Sequence, residues 1–220
     1  MKRSAAFSLA VVTAALLPVT AGATHKPGHG PTGGADGITI EAEPNPVVYG
    51  ATVSINGRLS TATNTGQNVV LESDPYPYEG NYGNVTNATT SPSGAYILTD
   101  KPSVNTRYRV KQGNLTSPVI TVLVRIKAGL RVGDTTPERG QRVRFAGTVC
   151  PAHVGAVVRI QRRGATRWVT LGRTTVKAAT TCSRFAKRVR VFRDGRYRAV
   201  VTGDADHARG ISRSRFLDVR

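Results

Sequence analysis

The sequence has few acidic residues and few groups suited to catalysis. Of its 220 residues only 13 are Asp or Glu, against 31 Lys and Arg, and only four are histidines. Two histidines lie near the N-terminus (His25, His29), and two stand alone in the second half of the sequence (His153, His207). No paired metal motif, nucleophile elbow or phosphate-binding loop accompanies them. We therefore expect no enzyme, no catalytic residue, and no bound metal or cofactor.

Long apolar runs are also scarce. The run from Ala5 to Leu17 has about 13 residues, whereas a membrane-spanning helix needs about 20. It follows Lys2 and Arg3 and precedes small residues ending at Ala23, which is the pattern of a signal peptide. A membrane-spanning helix is the alternative interpretation. We expect cleavage after Ala23 and a soluble, extracellular protein that could associate with the cell wall. The excess of 24 Arg over 7 Lys is typical of a GC-rich bacterial genome.

No segment has the sustained 3.6-residue apolar period of a helix, and Val, Thr and Gly are abundant, which predicts an all-β protein. An internal repeat sets its organisation. Residues 50–59 align with 140–149 at an offset of 90, and residues 66–109 align with 155–198 at an offset of 89. Tyr96, for example, aligns with Phe185. The alignment predicts two modules of about 90 residues; a single large barrel is the less favoured alternative.

The predicted organisation is a signal peptide (1–23), a flexible Gly/Pro spacer (24–37) and two modules, 38–124 and 125–220. Each module contains about seven short alternating strands, which is typical of a β-sandwich. The alternation assigns the following residues of the second module to its core: Leu130, Val132, Val143, Phe145, Val149, Val158, Ile160, Val189, Val191, Tyr197, Ala199, Leu217 and Val219.

Three segments of the first module carry a family resemblance. They are 44–57, which includes Pro44, Pro46 and Tyr49, then 93–96, and 102–110, which contains Arg107-Tyr108-Arg109. With these segments the chain resembles the bacterial immunoglobulin-like modules of secreted and surface proteins, and is similar to carboxypeptidase-regulatory, transthyretin-like sandwiches. The resemblance implies two tandem immunoglobulin-like β-sandwiches that serve as scaffolds or binding units without shared catalytic residues.

The only cysteines, Cys150 and Cys182, are expected to form a disulfide because an exported chain matures in an oxidising compartment. In the implied immunoglobulin-like order, the strands that they flank, B and E, are antiparallel neighbours. The matching residues of the first repeat are Ser60 and Ser93, so the fold does not require the link. A reactive or metal-binding cysteine pair is the alternative, but the spacing is not that of a zinc site.

The positive charge belongs to one module. Residues 38–124 carry 5 basic and 6 acidic side chains, whereas residues 125–220 carry 23 basic and 6 acidic ones. Four arginines alternate with core positions and should point outward, and their counterparts in the first repeat are not arginine. The arginines are Arg142, Arg144, Arg188 and Arg190, and their counterparts are Thr52, Ser54, Thr99 and Lys101.

If strands B and E pair, these arginines form one patch for a polyanion. Wall polymers, acidic polysaccharides, anionic lipid headgroups and extracellular DNA are the candidate partners, and sequence-specific binding of nucleic acid is not expected because no recognition helix or zinc finger is present. The alternative is a structural spacer or protein-interaction module with no specific ligand.

Two smaller features remain. Tyr76, Tyr78 and Tyr82 lie in a Pro- and Gly-containing insertion of the first module and form a candidate ligand loop, with packing over the sandwich edge as the alternative. The stretch from Asp204 to His207 could suggest a cation site. Two carboxylates in strongly basic surroundings are a poor calcium site, so no metal site is predicted there.

Overall fold

The structure, a computed structural model, describes residues 37–220 and consists of strands, turns and bends in that range. The expected all-β class is confirmed. Within these residues no helix is long and apolar enough to cross a membrane. The predicted signal peptide and residues 24–36 of the predicted spacer lie outside the described residues. Gly37, assigned to the spacer, already belongs to the first strand, where it pairs with Ser60.

Residues 37–125 form eleven strands and residues 127–217 form nine. The first group is β1 (Gly37–Ile38), β2 (Glu41–Glu43), β3 (Val47–Val48), β4 (Val53–Ser60), β5 (Asn68–Pro75), β6 (Gly83–Thr89), β7 (Ala95–Asp100), β8 (Thr106–Gln112), β9 (Leu115–Thr116), β10 (Ile120–Val122) and β11 (Val124–Arg125). The second group is β12 (Lys127–Ala128), β13 (Arg131–Val132), β14 (Arg142–Cys150), β15 (Val157–Arg163), β16 (Trp168–Thr175), β17 (Ser183–Arg190), β18 (Gly195–Val201), β19 (Gly210–Ile211) and β20 (Arg215–Leu217).

The two repeats have the same sheet topology. In the first, β4 pairs with β1, β2 and β7, while β5 lies between β6 and β8, and β8 also pairs with β9 and β10. In the second, β14 pairs with β12, β13 and β17, while β15 lies between β16 and β18, and β18 also pairs with β19 and β20. Every one of these pairs is antiparallel. The strands outnumber the expected seven per repeat because edge strands are interrupted: β1 and β2 pair with one strand, as do β12 and β13.

Two separate clusters of buried apolar side chains lie along the chain. The first runs from Ile38 to Val124 and the second from Ile126 to Leu217, so the change of cluster falls at Arg125. All the core positions predicted in the second repeat belong to its cluster or pack against it, Val132 and Val219 being only partly buried. The alternation of apolar and polar residues therefore identified the inward face of these strands correctly.

A glycine facing an aromatic ring recurs at the same place in both repeats. Gly57 pairs across the strands with Tyr96, and Gly147 pairs with Phe185. A Cβ atom at Gly147 would lie 2.7 Å from the Phe185 ring and would overlap the Gly129 carbonyl oxygen, and one at Gly57 would overlap the Thr39 carbonyl and the Tyr96 hydroxyl. Both positions therefore need glycine because an edge-strand carbonyl and an aromatic ring approach the backbone.

The repeats are joined by backbone hydrogen bonds. Residues 37–220 belong to one compact unit. Strand β11 pairs in parallel with β3, through Val124 with Val47. The backbone amide of Ala208 in the second repeat donates to the Val124 carbonyl (2.8 Å), and the Ile126 amide donates to the Ala208 carbonyl (3.0 Å). Segment 124–126 thus lies between strand β3 of the first repeat and the loop around Ala208 of the second.

Candidate functional site

The four predicted arginines form two directly opposed cross-strand pairs. Arg142 pairs with Arg190 and Arg144 pairs with Arg188 on strands β14 and β17. All four side chains are exposed, whereas the intervening Val143 and Val189 are buried. The predicted pairing of these strands and the shared outward face are confirmed. At the place in the first repeat that matches Arg144 and Arg188, Ser54 pairs with Thr99, so the same backbone carries two neutral side chains there.

Like charges on directly opposed residues of paired strands destabilise a sheet. Among the residues that the structure describes, the ion pairs join Glu72, Asp204 or Asp206 to basic groups, and none involves the four arginines. The repulsion between the paired guanidinium groups is therefore not relieved by a carboxylate of the described chain. An external anion that lies across the pairs would relieve it.

A shallow groove with a volume of about 770 Å³ lies on the same sheet face. Five basic side chains line it: Arg131, Arg144, Lys177, Arg184 and Arg215. Apart from Arg144, these residues were not singled out in the sequence. Arg184 is an even number of residues away from Arg188 and Arg190, so the alternation of a strand places it on the same face. This pattern could have identified Arg184 from the sequence. Arg131 and Arg215 come from short edge strands whose register the sequence does not define.

The structure contains the predicted disulfide between Cys150 and Cys182, whose Cα atoms are 4.9 Å apart. Cys150 is the last residue of β14, and Cys182 directly precedes β17. The bond therefore ties together the ends of the two strands that carry the paired arginines. In the first repeat Ser60 ends β4 in the same way, and no cysteine is available there.

The loop that contains Tyr76, Tyr78 and Tyr82 lies between β5 and β6 and packs against the neighbouring strand β8. The Arg107 guanidinium lies 4.3 Å from the centre of the Tyr78 ring, and that of Arg109 lies 3.9 Å from the centre of the Tyr82 ring. Tyr76 meets Tyr78 edge to face and is the exposed member of the three. The structure thus stacks two of the three predicted rings on arginines and leaves Tyr76 presented to solvent.

The same stacking recurs in the second repeat. The Arg198 guanidinium lies 3.9 Å from the centre of the Trp168 ring, and its Nε donates to Gln161 Oε1 (3.0 Å). In the first repeat the Nε of Arg109 donates to Glu72 Oε2 (2.6 Å). In each repeat an aromatic ring, Tyr82 or Trp168, therefore stacks on an arginine on the outer face of the five-stranded sheet. These two rings are not free platforms for a ligand.

The two histidines of the second repeat are not isolated, which corrects the sequence interpretation. Their rings meet edge to face with centroids 4.8 Å apart, at the end of the second repeat that faces the first. His153, His207, Asp204 and Asp206 each bring one potential ligand atom to a cluster in which these atoms lie within 4.8 Å of one another. Burial raises the pKa of the Asp204 carboxyl, and the contact with Asp204 lowers the pKa of the Asp206 carboxyl.

The sequence matches no family model, and no curated protein matches it. Among solved structures, it is similar to the crystal structure of a tetra-tandem repeat in the extending region of a large adhesion protein, with a TM-score of 0.35 and 17% sequence identity. The match covers 84% of this chain and 50% of that chain, so this chain spans about half the length of the structure it matches.

Proposed function

We propose that the chain is a secreted, non-catalytic binding or scaffold protein made of two immunoglobulin-like β-sandwich modules, 38–124 and 125–220. In this proposal the second module binds anionic polymers of the bacterial cell envelope or its surroundings, such as wall polymers, acidic polysaccharides or anionic lipid headgroups. The location would be extracellular, with attachment to the wall through those polymers.

The immunoglobulin-like assignment is supported by topology and by one side chain. In each repeat a four-stranded sheet and a five-stranded sheet enclose one apolar cluster. Tyr197 is fully buried, and its hydroxyl donates to the Arg193 carbonyl four residues earlier (2.5 Å). A buried tyrosine that bonds back to the preceding corner is a recurrent feature of this class of sandwich.

The polyanion assignment depends on one observation, the opposed pairs Arg142–Arg190 and Arg144–Arg188 on an open sheet face. Guanidinium groups are suited to phosphate and carboxylate because their planar donors match both anions. The groove beside the pairs adds four more basic side chains, so a chain of anionic groups could contact the strands and the groove together. The first repeat has the same strands and a net charge of −1, and it is the internal control.

The test is retention of the full chain on heparin and on purified wall polymer. The quadruple variant R142T/R144S/R188T/R190K gives β14 and β17 the side chains of the first repeat and removes three positive charges. A matched control, R167S/R196S/R213S, removes three positive charges from exposed arginines outside the four. We expect the quadruple variant to elute at clearly lower salt than the control. Equal elution of the two variants would mean that net charge alone governs retention.

A further inference from the structure

A second feature, independent of the arginine face, lies in a cleft where the two repeats meet. The cleft has a volume of about 480 Å³ and is lined by Tyr49, Ser103 and Val104 of the first repeat together with Pro151–Val154, Asp204, Asp206 and His207 of the second. His153 lies in the loop between β14 and β15, and the other three cluster residues lie in the loop between β18 and β19. The cleft thus receives two imidazoles and two carboxylates from two loops.

Both imidazoles are buried and oriented by backbone carbonyls. The His207 side chain is 3% exposed, and its Nε2 lies 2.7 Å from the Ser103 carbonyl oxygen. The His153 side chain is 7% exposed, and its Nδ1 lies 2.9 Å from the Pro151 carbonyl oxygen. A carbonyl oxygen only accepts hydrogen bonds, so each of these nitrogens carries the hydrogen. In a neutral ring the other nitrogen then presents a lone pair.

The other ring nitrogen of each histidine lies close to a carboxylate oxygen. His153 Nε2 lies 3.2 Å from Asp204 Oδ2, and His207 Nδ1 lies 3.0 Å from Asp206 Oδ1 and 4.0 Å from Asp204 Oδ1. The buried His207 Nδ1 makes no aligned hydrogen bond with any residue that the structure describes. At such distances a nitrogen lone pair and a carboxylate oxygen repel each other unless a cation lies between them or the ring takes a second proton.

Histidines that bind metals commonly donate their second ring N–H to a backbone carbonyl or carboxylate, which fixes the ring and its tautomer. His153 and His207 both have this arrangement. The donor set of two imidazoles and two carboxylates suits zinc and similar divalent transition metals, whereas calcium and magnesium prefer oxygen ligands alone. A tetrahedral zinc ion with bonds of about 2.1 Å separates its ligand atoms by about 3.4 Å. The nitrogen–oxygen separations of 3.0, 3.2 and 4.0 Å lie on both sides of that value, and all four ligand atoms lie within 4.8 Å of one another.

We propose that His153, Asp204, Asp206 and His207 form a binding site for zinc or a similar divalent transition metal at the junction of the two repeats. The carboxylates provide access, since the side chains of Asp204 and Asp206 are 48% and 39% exposed. The ion would join the two loops of the second repeat. Because the Ser103 carbonyl of the first repeat orients His207, the bound metal would also stabilise the contact between the repeats.

The experiment is isothermal titration of the metal-stripped full chain with zinc chloride, together with the visible absorption of bound Co²⁺. We expect one zinc per chain, a four-coordinate Co²⁺ spectrum, and a rise in the thermal midpoint that a chelator reverses. The variant D204N/D206N keeps the shape of both side chains but should weaken zinc binding by at least about 100-fold, beyond the effect of losing an outer-shell partner. Calcium chloride should give no comparable heat.

Two control variants make the result specific. D194N/D218N removes two carboxylates from elsewhere in the second repeat, and H25A/H29A removes the other two histidines of the chain; both should bind zinc like the parent. His153→Gln should behave like D204N/D206N, and circular dichroism shows whether each variant keeps its strands. The absence of saturable zinc binding, or equal loss in the control variants, would overturn the proposal.

Discussion

Asn105 of the first repeat donates its side-chain amide to the Ala205 carbonyl of the second, at 3.1 Å. The same side chain accepts a hydrogen bond from the Val124 amide at 2.8 Å, and the Asn105 backbone amide donates to the Asp206 carbonyl at 2.8 Å. One buried residue therefore connects the first repeat, the connecting strand and the loop that carries the histidine–aspartate cluster.

This relationship predicts the effect of Asn105→Ala. The change leaves the buried Val124 amide without its acceptor and removes the donor to Ala205. An unsatisfied buried group costs about 1–3 kcal/mol, so we expect the free energy of unfolding to fall by at least about 2 kcal/mol. Chemical denaturation of the full chain measures this value. The control is Asn84→Ala, at an exposed residue. If both changes lower the free energy of unfolding by the same small amount, the hydrogen bonds of Asn105 contribute little to stability.

Gly147→Ala tests the close approach between β14 and the Phe185 ring. The added methyl group has no space between that ring and the Gly129 carbonyl, so strands must shift. Overpacking of this kind costs about 1–3 kcal/mol, and we expect a loss of that size in denaturant unfolding. Gly83→Ala, where a Cβ atom meets nothing within 4 Å, is the matched control. Equal stability of the two variants would contradict the packing.

Removal of the disulfide should destabilise the chain although the first repeat manages without one. Cys150 and Cys182 are 32 residues apart in sequence, and closing a loop of this size stabilises a fold by about 3–4 kcal/mol in the chain-entropy model. We expect C150S/C182S to lower the free energy of unfolding by roughly that amount. Reductant should lower the stability of the parent and leave the variant unchanged. If reductant also destabilises the variant, the effect does not come from this bond.

Stability should decline in alkaline solution because three tyrosines are buried. Burial raises the pKa of Tyr96, Tyr108 and Tyr197 above the ordinary phenol value. Their contribution to stability is complete below about pH 10, where the unfolded chain also keeps its phenol protons, and is lost as the pH rises further. Each such group steepens the decline by up to about 1.4 kcal/mol per pH unit.

Tyr108→Phe removes one of these groups and should make the decline in the free energy of unfolding shallower above pH 10. Denaturation curves collected from pH 8 to pH 12 measure the slope. Tyr76→Phe, which changes an exposed ring, is the matched control. An identical slope in parent and Tyr108→Phe would show that this hydroxyl ionises as readily in the folded protein as in the unfolded chain.

Much of the strand arrangement could be predicted because it depends on local alternation. Val143 and Val189 alternate with Arg142, Arg144, Arg188 and Arg190, and a two-residue period assigns each set to one face. The register of the pairing is seen only in the structure, where Ser54 and Thr99 of the first copy form the same cross-strand pair as Arg144 and Arg188 of the second. The disulfide was expected because an exported chain matures in an oxidising compartment, and the adjacency of the two strands was implied by the immunoglobulin-like resemblance.

The histidine–aspartate cluster could not be predicted in the same way. His153 and His207 lie in different loops of irregular backbone. The orientation of His207 depends on contacts with Ser103 and Tyr49 of the other repeat, and that of His153 on the Pro151 carbonyl. One clue was present in the expected topology. The loop after the second strand and the loop before the last strand lie at the same end of an immunoglobulin-like sandwich, which places His153 and His207 at that end.

The salt dependence of binding to heparin tests the central claim most directly. For a polyanion, the logarithm of the binding constant falls linearly with the logarithm of salt concentration, with a slope that counts the charges engaged. We predict that R142T/R144S/R188T/R190K lowers the magnitude of this slope by about 2–3, since it removes three contacting charges, while R167S/R196S/R213S keeps the parent slope. The same slope for the parent and both variants would contradict binding through the paired arginines of β14 and β17.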